Sequence, residues 1–335
     1  MLGGMSLLRW TAAGGGDSHE GMSRQPDRIF PGIVLMLSFC ALAPLLDVSS
    51  KLAAENGIPV GQITTARFVV QGALMLPVVL WMGLAWRVDA RVLGFVFLRA
   101  VFLMLSTFSF VSGIEVMPVA DALAIAFVEP FILLILGRLI FGDEVGPRRI
   151  AASAVGFCGA LLVIQPSLAA FGYVALWPLG TAFFFAFYML VTRAMAAYMH
   201  PVTMQLHTSL AGIVICVPLM FLFDGTGWAE LDPVMPWGWN WLWLFGVGFW
   251  AGVSHMCMTY ALKFAPSATL APLHYTEIVA AVALGYLIFG DFPNAMTWAG
   301  IAVIVSSGLY IIHRERISAK AKRAAAAATL PPEAI

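Results

Sequence analysis

The chain has 335 residues, of which 61% are hydrophobic and only 11% are charged, and its formal net charge is zero. Because about 25% of the residues of a soluble domain are charged, this composition excludes a water-soluble globular protein and indicates an integral membrane protein. The zero net charge argues against a nucleic-acid partner, and without phosphate-binding or zinc-binding motifs we expect no cofactor and no metal.

The two ends of the chain differ from the rest in composition. Residues 1–29 are expected to form a disordered cytoplasmic lead-in. They do not form a signal peptide, because the glycine-rich run at 14–17 stands where an apolar core would be needed. Met22 precedes a short polar stretch, and we hypothesise that it is the true start. The tail at 314–335 is basic and then alanine-rich, and is expected to lie in the cytoplasm without a fold of its own.

Ten apolar segments are long enough to cross a membrane, since a spanning helix needs about 20 such residues. In chain order they lie at about 30–50, 61–83, 92–113, 118–141, 147–166, 172–193, 201–223, 238–262, 266–289 and 294–313. The connections are short and marked by glycine or proline. The predicted fold class is therefore an all-α integral membrane protein with ten transmembrane helices.

The fourth and ninth segments both begin with proline and end with the sequence Leu-Ile-Phe-Gly-Asp. Without gaps, residues 118–143 and 266–291 match at ten of 26 positions. If each copy belongs to a unit of five helices, an odd number, the second unit must enter the membrane in the opposite orientation. The sequence thus predicts two inverted five-helix repeats, at 30–166 and 172–313, an arrangement typical of transporters.

The distribution of positive charge predicts the orientation. With the N-terminus inside, 16 of the 18 lysines and arginines lie at cytoplasmic ends, and the exceptions are Lys51 and Arg67. Positive residues accumulate on the cytoplasmic side of membrane proteins. We therefore expect a multi-pass protein of the inner (cytoplasmic) membrane with both termini in the cytoplasm.

Several short motifs carry a resemblance to a known transporter family. They are Leu98–Ala100, Met117–Phe127, Tyr260–Pro266 and Ala271–Thr276. Within the ten-helix pattern they resemble the EamA family of the drug/metabolite transporter superfamily, and most closely its branch with riboflavin and S-adenosylmethionine transporters. The resemblance implies a secondary transporter, not an enzyme, that moves a small organic metabolite by alternating access. Riboflavin, S-adenosylmethionine and amino acids are the implied candidates, and helices 1, 3, 4, 6, 8 and 9 would line the cavity.

Three other functions stay open at this point. One is efflux of drugs or amino acids by a carrier of the same superfamily. Another is an intramembrane enzyme, which would need a clustered nucleophile, a metal site or an acidic diphosphate-binding motif; the sequence shows none of these. The third is a channel. The expected partners are in any case a small-molecule solute and the lipid bilayer, with protons as a candidate coupling ion.

Glu129 and Glu277 are the first candidate site residues. Each lies eleven residues after the proline that opens its segment, about 16 Å into the membrane and close to the midplane. A carboxyl group in hydrocarbon is costly and calls for a reason. Because low-dielectric surroundings favour its neutral form, either residue could carry a proton, bind a cationic solute, or simply hold two helices together through a hydrogen bond. Pro130 is expected to leave the carbonyl of Ala126 without its helical partner.

Polar and aromatic residues in the second half are further candidates for solute binding. His274 and Tyr275 come just before Glu277, and His255 and Tyr260 lie in the preceding segment. A lone membrane histidine can also be a satisfied core residue. Arg99, about seven residues into the third segment, could meet an anionic group of the solute, but we favour snorkelling to the headgroups or structural pairing.

Two acidic and two basic residues are predicted to form an outer gate. Asp47 and Lys51 are four residues apart on the first segment, and so share a helix face. Arg67 enters the second segment from the same side, and Asp121 lies near the outer end of the fourth. Ion pairs among them would close the outer side and open by re-forming with water. A static salt bridge at the rim is the alternative.

Overall fold

The computed structural model describes residues 29–84, 88–142, 146–196, 198–291, 294–296, 298–303, 305–307, 309–310, 313 and 317. The predicted lead-in, except its last residue, and the predicted tail, except Ile317, lie outside the described residues.

The part of the chain that the structure describes is helical and contains no strand. The α-helices are α1 (Ile29–Glu55), α2 (Val60–Trp81), α3 (Ala90–Ile114), α4 (Val119–Ala126), α5 (Glu129–Phe141), α6 (Pro147–Phe171), α7 (Leu176–Ala196), α8 (Pro201–Phe223), α9 (Asn240–Phe264), α10 (Ser267–Leu270) and α11 (Glu277–Phe289). Turns of 3₁₀-helix at Gly172–Ala175 and Ala271–Thr276 precede α7 and α11. The described residues between 298 and 307 are helical as well.

The apolar helices make this a multi-pass membrane protein. Within the described residues, seven stretches are long and apolar enough to span a bilayer: Ile29–Glu55, Val60–Trp81, Val92–Ile114, Val119–Phe141, Gly172–Ala196, Pro201–Phe223 and Asn240–Phe264. Three shorter apolar helices lie at Ile150–Gly159, Leu273–Phe289 and Trp298–Ser307. Each of these stretches coincides with one of the predicted segments.

The fourth and ninth predicted segments are each interrupted. In the fourth, α4 ends at Ala126 and α5 begins at Glu129, because Pro130 has no N–H to donate to the Ala126 carbonyl. In the ninth, the 3₁₀ turn with Pro272 near its start separates α10 from α11. Both breaks fall immediately before a glutamate, Glu129 or Glu277.

The duplicated sequence forms matching elements. Both α5 and α11 have 13 residues, begin at a glutamate and end at the phenylalanine of Leu-Ile-Phe-Gly-Asp. The glycine that follows caps each helix in the left-handed conformation, with φ of 67° at Gly142 and 73° at Gly290. An L side chain is disfavoured there, which explains why both copies carry glycine.

The first five predicted helices pack closely against the last five. Helix α1 lies along α9 and also contacts α11, while α7 lies along α3 and also contacts α5; α2 lies along α8. We name the two ends of the bundle after α1, as the Ile29 end and the Glu55 end. A cluster of apolar side chains that includes the fully buried Met36, Leu133 and Leu270 fills the Ile29 end.

Glycines allow α2 to approach its neighbours closely. A Cβ atom on Gly248 of α9 would lie 2.3 Å from Cβ of Val70, and one on Gly212 of α8 would lie 2.4 Å from the Phe68 ring. Small residues at such crossings let membrane helices pack backbone to backbone. These two positions therefore hold α8 and α9 against α2.

We expect Gly248→Ala to lower the free energy of unfolding by about 1–3 kcal/mol, because the added methyl group must push α9 away from α2. Thermal unfolding of the purified protein in detergent measures this. Gly94→Ala is the matched control, since Gly94 is exposed within α3 and a Cβ there meets no atom within 4 Å. Equal melting temperatures for the two variants would contradict the expectation.

Candidate functional site

A cavity of about 90 Å³ lies between the halves. Its lining comes from α1, α3, α4, α5, α7, α9 and the segment just before and at the start of α11, with one residue of α2 in addition. The charged and histidine side chains of the lining are Asp47, Arg67, Glu129, His255, His274 and Glu277. Since one water needs a cavity of about 10–15 Å³, this cavity has room for several waters.

Glu129 and His274 form the central contact of the cavity. Oε2 of Glu129 lies 2.9 Å from Nδ1 of His274, and both side chains are almost fully buried. The other polar atom of each group, Oε1 of Glu129 and Nε2 of His274, has no hydrogen-bond partner among the described residues. A carboxylate and an imidazole at this distance can share a proton, and each retains one atom to offer a solute or water.

Glu277 lines the same cavity from the other half. It is the first residue of α11, as Glu129 is the first residue of α5. Each glutamate therefore lies at a helix N-terminus, where the positive end of the helix dipole favours a negative charge. Broken helices whose N-termini face a site near the midplane are typical of transporters.

Arg67 and Asp47, two of the four predicted gate residues, line this cavity. Nη2 of Arg67 lies 2.7 Å from Nε2 of His255, and Nη1 donates to the Thr107 hydroxyl. The exposed fraction is 4% for Arg67 and 8% for Asp47. Two helical turns into its helix from the Glu55 end, Arg67 is too deep to act as a rim residue, so its charge contributes to the field inside the cavity.

Lys51 is placed elsewhere. It is not among the cavity-lining residues, and its Nζ donates to the Met117 carbonyl at 3.0 Å. The same Nζ lies 3.6 Å from Asp291 and 3.9 Å from Glu55. Asp121, in the first turn of α4, does not line the cavity either. Two of the four predicted gate residues therefore line the cavity, and two do not.

Arg99 is fully buried, so it does not snorkel to the headgroups, and its contacts are those of the structural pairing that we named beside snorkelling. Its Nε donates to Thr192 at 2.8 Å, and its Nη2 donates to Tyr188 at 2.8 Å and to Gln205 at 2.9 Å. Its Nη1 donates to Thr208. All four partners are neutral side chains of α7 and α8, so Arg99 ties α3 to the second half of the chain and does not reach the cavity.

The two predicted tyrosines also lie away from the cavity lining. The Tyr275 ring packs 5.6 Å from the Phe127 ring and against Gly156, where a Cβ would lie 2.7 Å from it. Tyr260 packs against the rings of His200 and Phe264. Both therefore contribute to helix packing in this structure.

Phe39 and Phe185 also line the cavity, and of these two no sequence feature marks Phe39. The Phe39 ring stacks on His274, with centroids 5.3 Å apart, and meets His255 edge-on at 5.5 Å. Phe185 also makes a T-shaped contact with His255, with ring centroids 5.9 Å apart. An apolar residue in an apolar helix gives no signal of such a role.

We expect Arg99→Lys to lower the free energy of unfolding by about 2–4 kcal/mol. Lysine cannot reproduce the planar fork that reaches four partners, and hydrogen bonds to a charged group contribute about 1.5–3 kcal/mol each. Thermal unfolding in detergent provides the measurement. Arg138→Lys on the exposed face of α5 is the control and is expected to change nothing. A stable Arg99→Lys protein would show that this cage does not contribute to stability.

Known proteins resemble this chain in sequence and in fold. The chain matches the EamA-like transporter family over residues 30–165 and 172–313. It is 28% identical to a riboflavin transporter of Rhizobium johnstonii over 65% of this chain and 69% of that protein. It is 24% identical to a riboflavin transporter of Vibrio cholerae, over 84% of this chain and 93% of that protein. It is 23% identical to an S-adenosylmethionine uptake transporter of Rickettsia prowazekii, over 87% and 95%.

A solved crystal structure superposes with a TM-score of 0.66 at 18% identity, covering 83% of this chain and 94% of that one, which supports the fold alone. The broken helices, the buried polar cavity between two halves and the match over both halves lead to one assignment. This chain belongs to the EamA-like transporter family.

Proposed function

We propose that the protein is a secondary transporter for a small organic metabolite of the riboflavin or S-adenosylmethionine type, and that it works by alternating access. The observation that carries the proposal is the position of Glu129 and Glu277. They begin two matching half-helices in different halves of the chain, and both line one cavity. The transporter names of the relatives support the same class.

The proposed topology is ten transmembrane helices in two inverted repeats, at 30–166 and 172–313. The packing supports it, because the contacts of α1 with the second half and of α7 with the first half correspond when the halves are exchanged. The contact of α1 with α9 corresponds to that of α7 with α3, and the contact of α1 with α11 to that of α7 with α5. The positive-charge distribution further supports an inner-membrane protein with both termini in the cytoplasm.

The proposed binding residues are those of the cavity. Glu129, Glu277 and Asp47 supply three carboxyl groups against one guanidinium, that of Arg67. Such an excess favours a solute that brings a positive charge or hydrogen-bond donors. S-adenosylmethionine, with a sulfonium, an amine and a ring, meets this requirement better than neutral riboflavin does.

Aromatic rings would hold the flat part of such a solute. Phe39 and Phe185 lie beside His255 and His274 in the cavity wall. Stacking on these rings orients a ring system, while the carboxyl groups select its polar substituents. The buried Arg99 and Tyr275 and the half-buried Tyr260 are proposed to support the site through packing.

The cycle requires the two halves to move. The cavity holds only several waters, and the apolar cluster around Met36, Leu133 and Leu270 closes it toward the Ile29 end. With the N-terminus in the cytoplasm, that end is the inner one. Release to the inside would therefore require these side chains to separate, which rocking of one half against the other achieves.

We expect Glu129→Gln and Glu277→Gln each to reduce solute counterflow at least tenfold, because each removes a carboxyl group that lines the cavity and can bind the solute or a proton. The measurement is uptake of labelled S-adenosylmethionine and riboflavin into proteoliposomes preloaded with the same compound. Glu115→Gln, in the exposed connection after α3, is the control and should retain counterflow. Unchanged counterflow in both cavity variants would refute this site.

The Glu129–His274 contact also makes protons a candidate coupling ion. We expect an imposed pH gradient to change the rate of solute uptake by wild-type proteoliposomes, and we expect Glu129→Gln to abolish that dependence, since glutamine cannot exchange a proton. Uptake with an inside-acid and an inside-alkaline gradient is compared at equal membrane potential. Indifference of the wild-type protein to the gradient would exclude proton coupling.

A further inference from the structure

Two basic residues make nearly the same contact at opposite ends of the bundle. Lys51, near the end of α1, places its Nζ 4.9 Å from the ring centroid of Phe289. Arg193, near the end of α7, places its Cζ 4.4 Å from the ring centroid of Phe141. The two phenylalanines are the same residue of the duplicated Leu-Ile-Phe-Gly-Asp sequence.

Each basic residue also contacts the start of one of the two segments that begin with proline, the fourth or the ninth. Lys51 donates to the carbonyl of Met117, which directly precedes Pro118. Arg193 donates to the hydroxyl of Ser267, which directly follows Pro266, at 2.7 Å. The contacts are thus matched on both sides.

The two contacts lie at different ends of the bundle and both cross between the halves. Met117 precedes α4 and Phe141 ends α5, so these two residues lie at opposite ends of the fourth segment. Lys51 of the first half meets Phe289 of the second, and Arg193 of the second half meets Phe141 of the first. Opening either end requires one of these contacts to break.

We propose that these contacts are a pair of latches, and that the duplicated pentapeptide exists in two copies to receive them. The Lys51 latch closes the Glu55 end and the Arg193 latch closes the Ile29 end. This inference rests on the proposed alternating-access function, because only a carrier that opens at each end in turn needs one latch at each.

The chemistry suits a contact that must form and break. A cation over an aromatic face gains moderate energy, more when water is excluded and less when water returns. Lys51 is 7% exposed and also lies 3.6 Å from Asp291, while Arg193 is half-buried. In both cases water can replace the polar partners when the halves separate. An apolar cluster has no such replacement, because its side chains gain no hydrogen bond from water.

The latches are also connected to the solute site. Phe141 and Glu129 are the two ends of α5, and Phe289 and Glu277 are the two ends of α11. A helix of 13 residues is about 20 Å long and moves as a rigid rod. A solute that binds and displaces Glu129 therefore moves Phe141 relative to Arg193, and one that displaces Glu277 moves Phe289 relative to Lys51.

Two cysteine reporters can measure which end is open without any solute. Cys40 is buried in the apolar cluster at the Ile29 end. Ser106 lines the cavity on the side of the Glu55 end, so Ser106→Cys reports that side. Each reporter is made the only cysteine by replacing the remaining native cysteines with alanine, and its labelling rate with a small maleimide is measured on purified protein.

We expect Arg193→Gln to raise the ratio of the Cys40 rate to the Ser106→Cys rate about threefold to tenfold, and Lys51→Gln to lower it by a similar factor. The opposite signs are the diagnostic, because general loosening would raise both rates together. Arg193→Lys, which keeps the cation, should restore the wild-type ratio. Arg138→Gln, an exposed cation one turn before Phe141, is the control that should leave it unchanged.

Shifts of the same sign, or no shift, would overturn the latches and leave static ties between helices. Size-exclusion chromatography checks that each variant is folded. If a glutamine variant is not, Phe141→Leu and Phe289→Leu test the same contacts from the aromatic side. Labelling uses no solute, so the two proposals can fail separately. Opposite shifts together with failed counterflow would retain the latches and reject the proposed solutes. Successful counterflow without opposite shifts would retain the solutes and reject the latches.

Discussion

The absence of water from the bilayer interior is the constraint on which this structure depends. Every backbone N–H and C=O in hydrocarbon needs a partner, so an interruption of a spanning helix is tolerated only where protein or a cavity surrounds it. The interruptions before Glu129 and Glu277 meet this condition, because both lie between the halves and beside the cavity. The position of the cavity and of its carboxyl groups follows from where the helices are allowed to stop.

Buried charge is treated differently in different parts of the molecule. Arg99 is neutralised by no acid among its four hydrogen-bond partners, which are hydroxyl and amide groups. Glu129 and Arg67 each contact a histidine, a partner whose ring nitrogens can donate or accept a hydrogen bond. Hydrogen bonds from Arg99 to four neutral groups favour one fixed arrangement, whereas a histidine partner can exchange donor and acceptor roles. The first pattern suits a structural joint and the second a working cavity.

Part of this architecture could be predicted from the sequence, and the reasons are physical. Glu129 and Glu277 were found because two copies of one segment keep the same polar residue at the same depth. The break before Glu129 is visible in Pro130, which removes a helical hydrogen bond.

Other features depend on contacts that no local pattern encodes. The partners of Arg99 lie about 90 to 110 positions further along the chain. The 3₁₀ turn at Ala271–Thr276 advances by about 120° per residue instead of about 100°, so over six residues the side chains rotate by roughly a third of a turn. Within this turn Tyr275 packs against Gly156, while its neighbour His274 lines the cavity.

The cage around Arg99 has a consequence for how the protein is made. Its four partners belong to α7 and α8, which the ribosome delivers only after the whole first half has been synthesised. Until then α3 carries a guanidinium in the bilayer without the groups that satisfy it, and the cost of that state falls on the nascent chain. We therefore expect the first half to be less stable alone than beside the second, and the two halves to assemble as one folding unit.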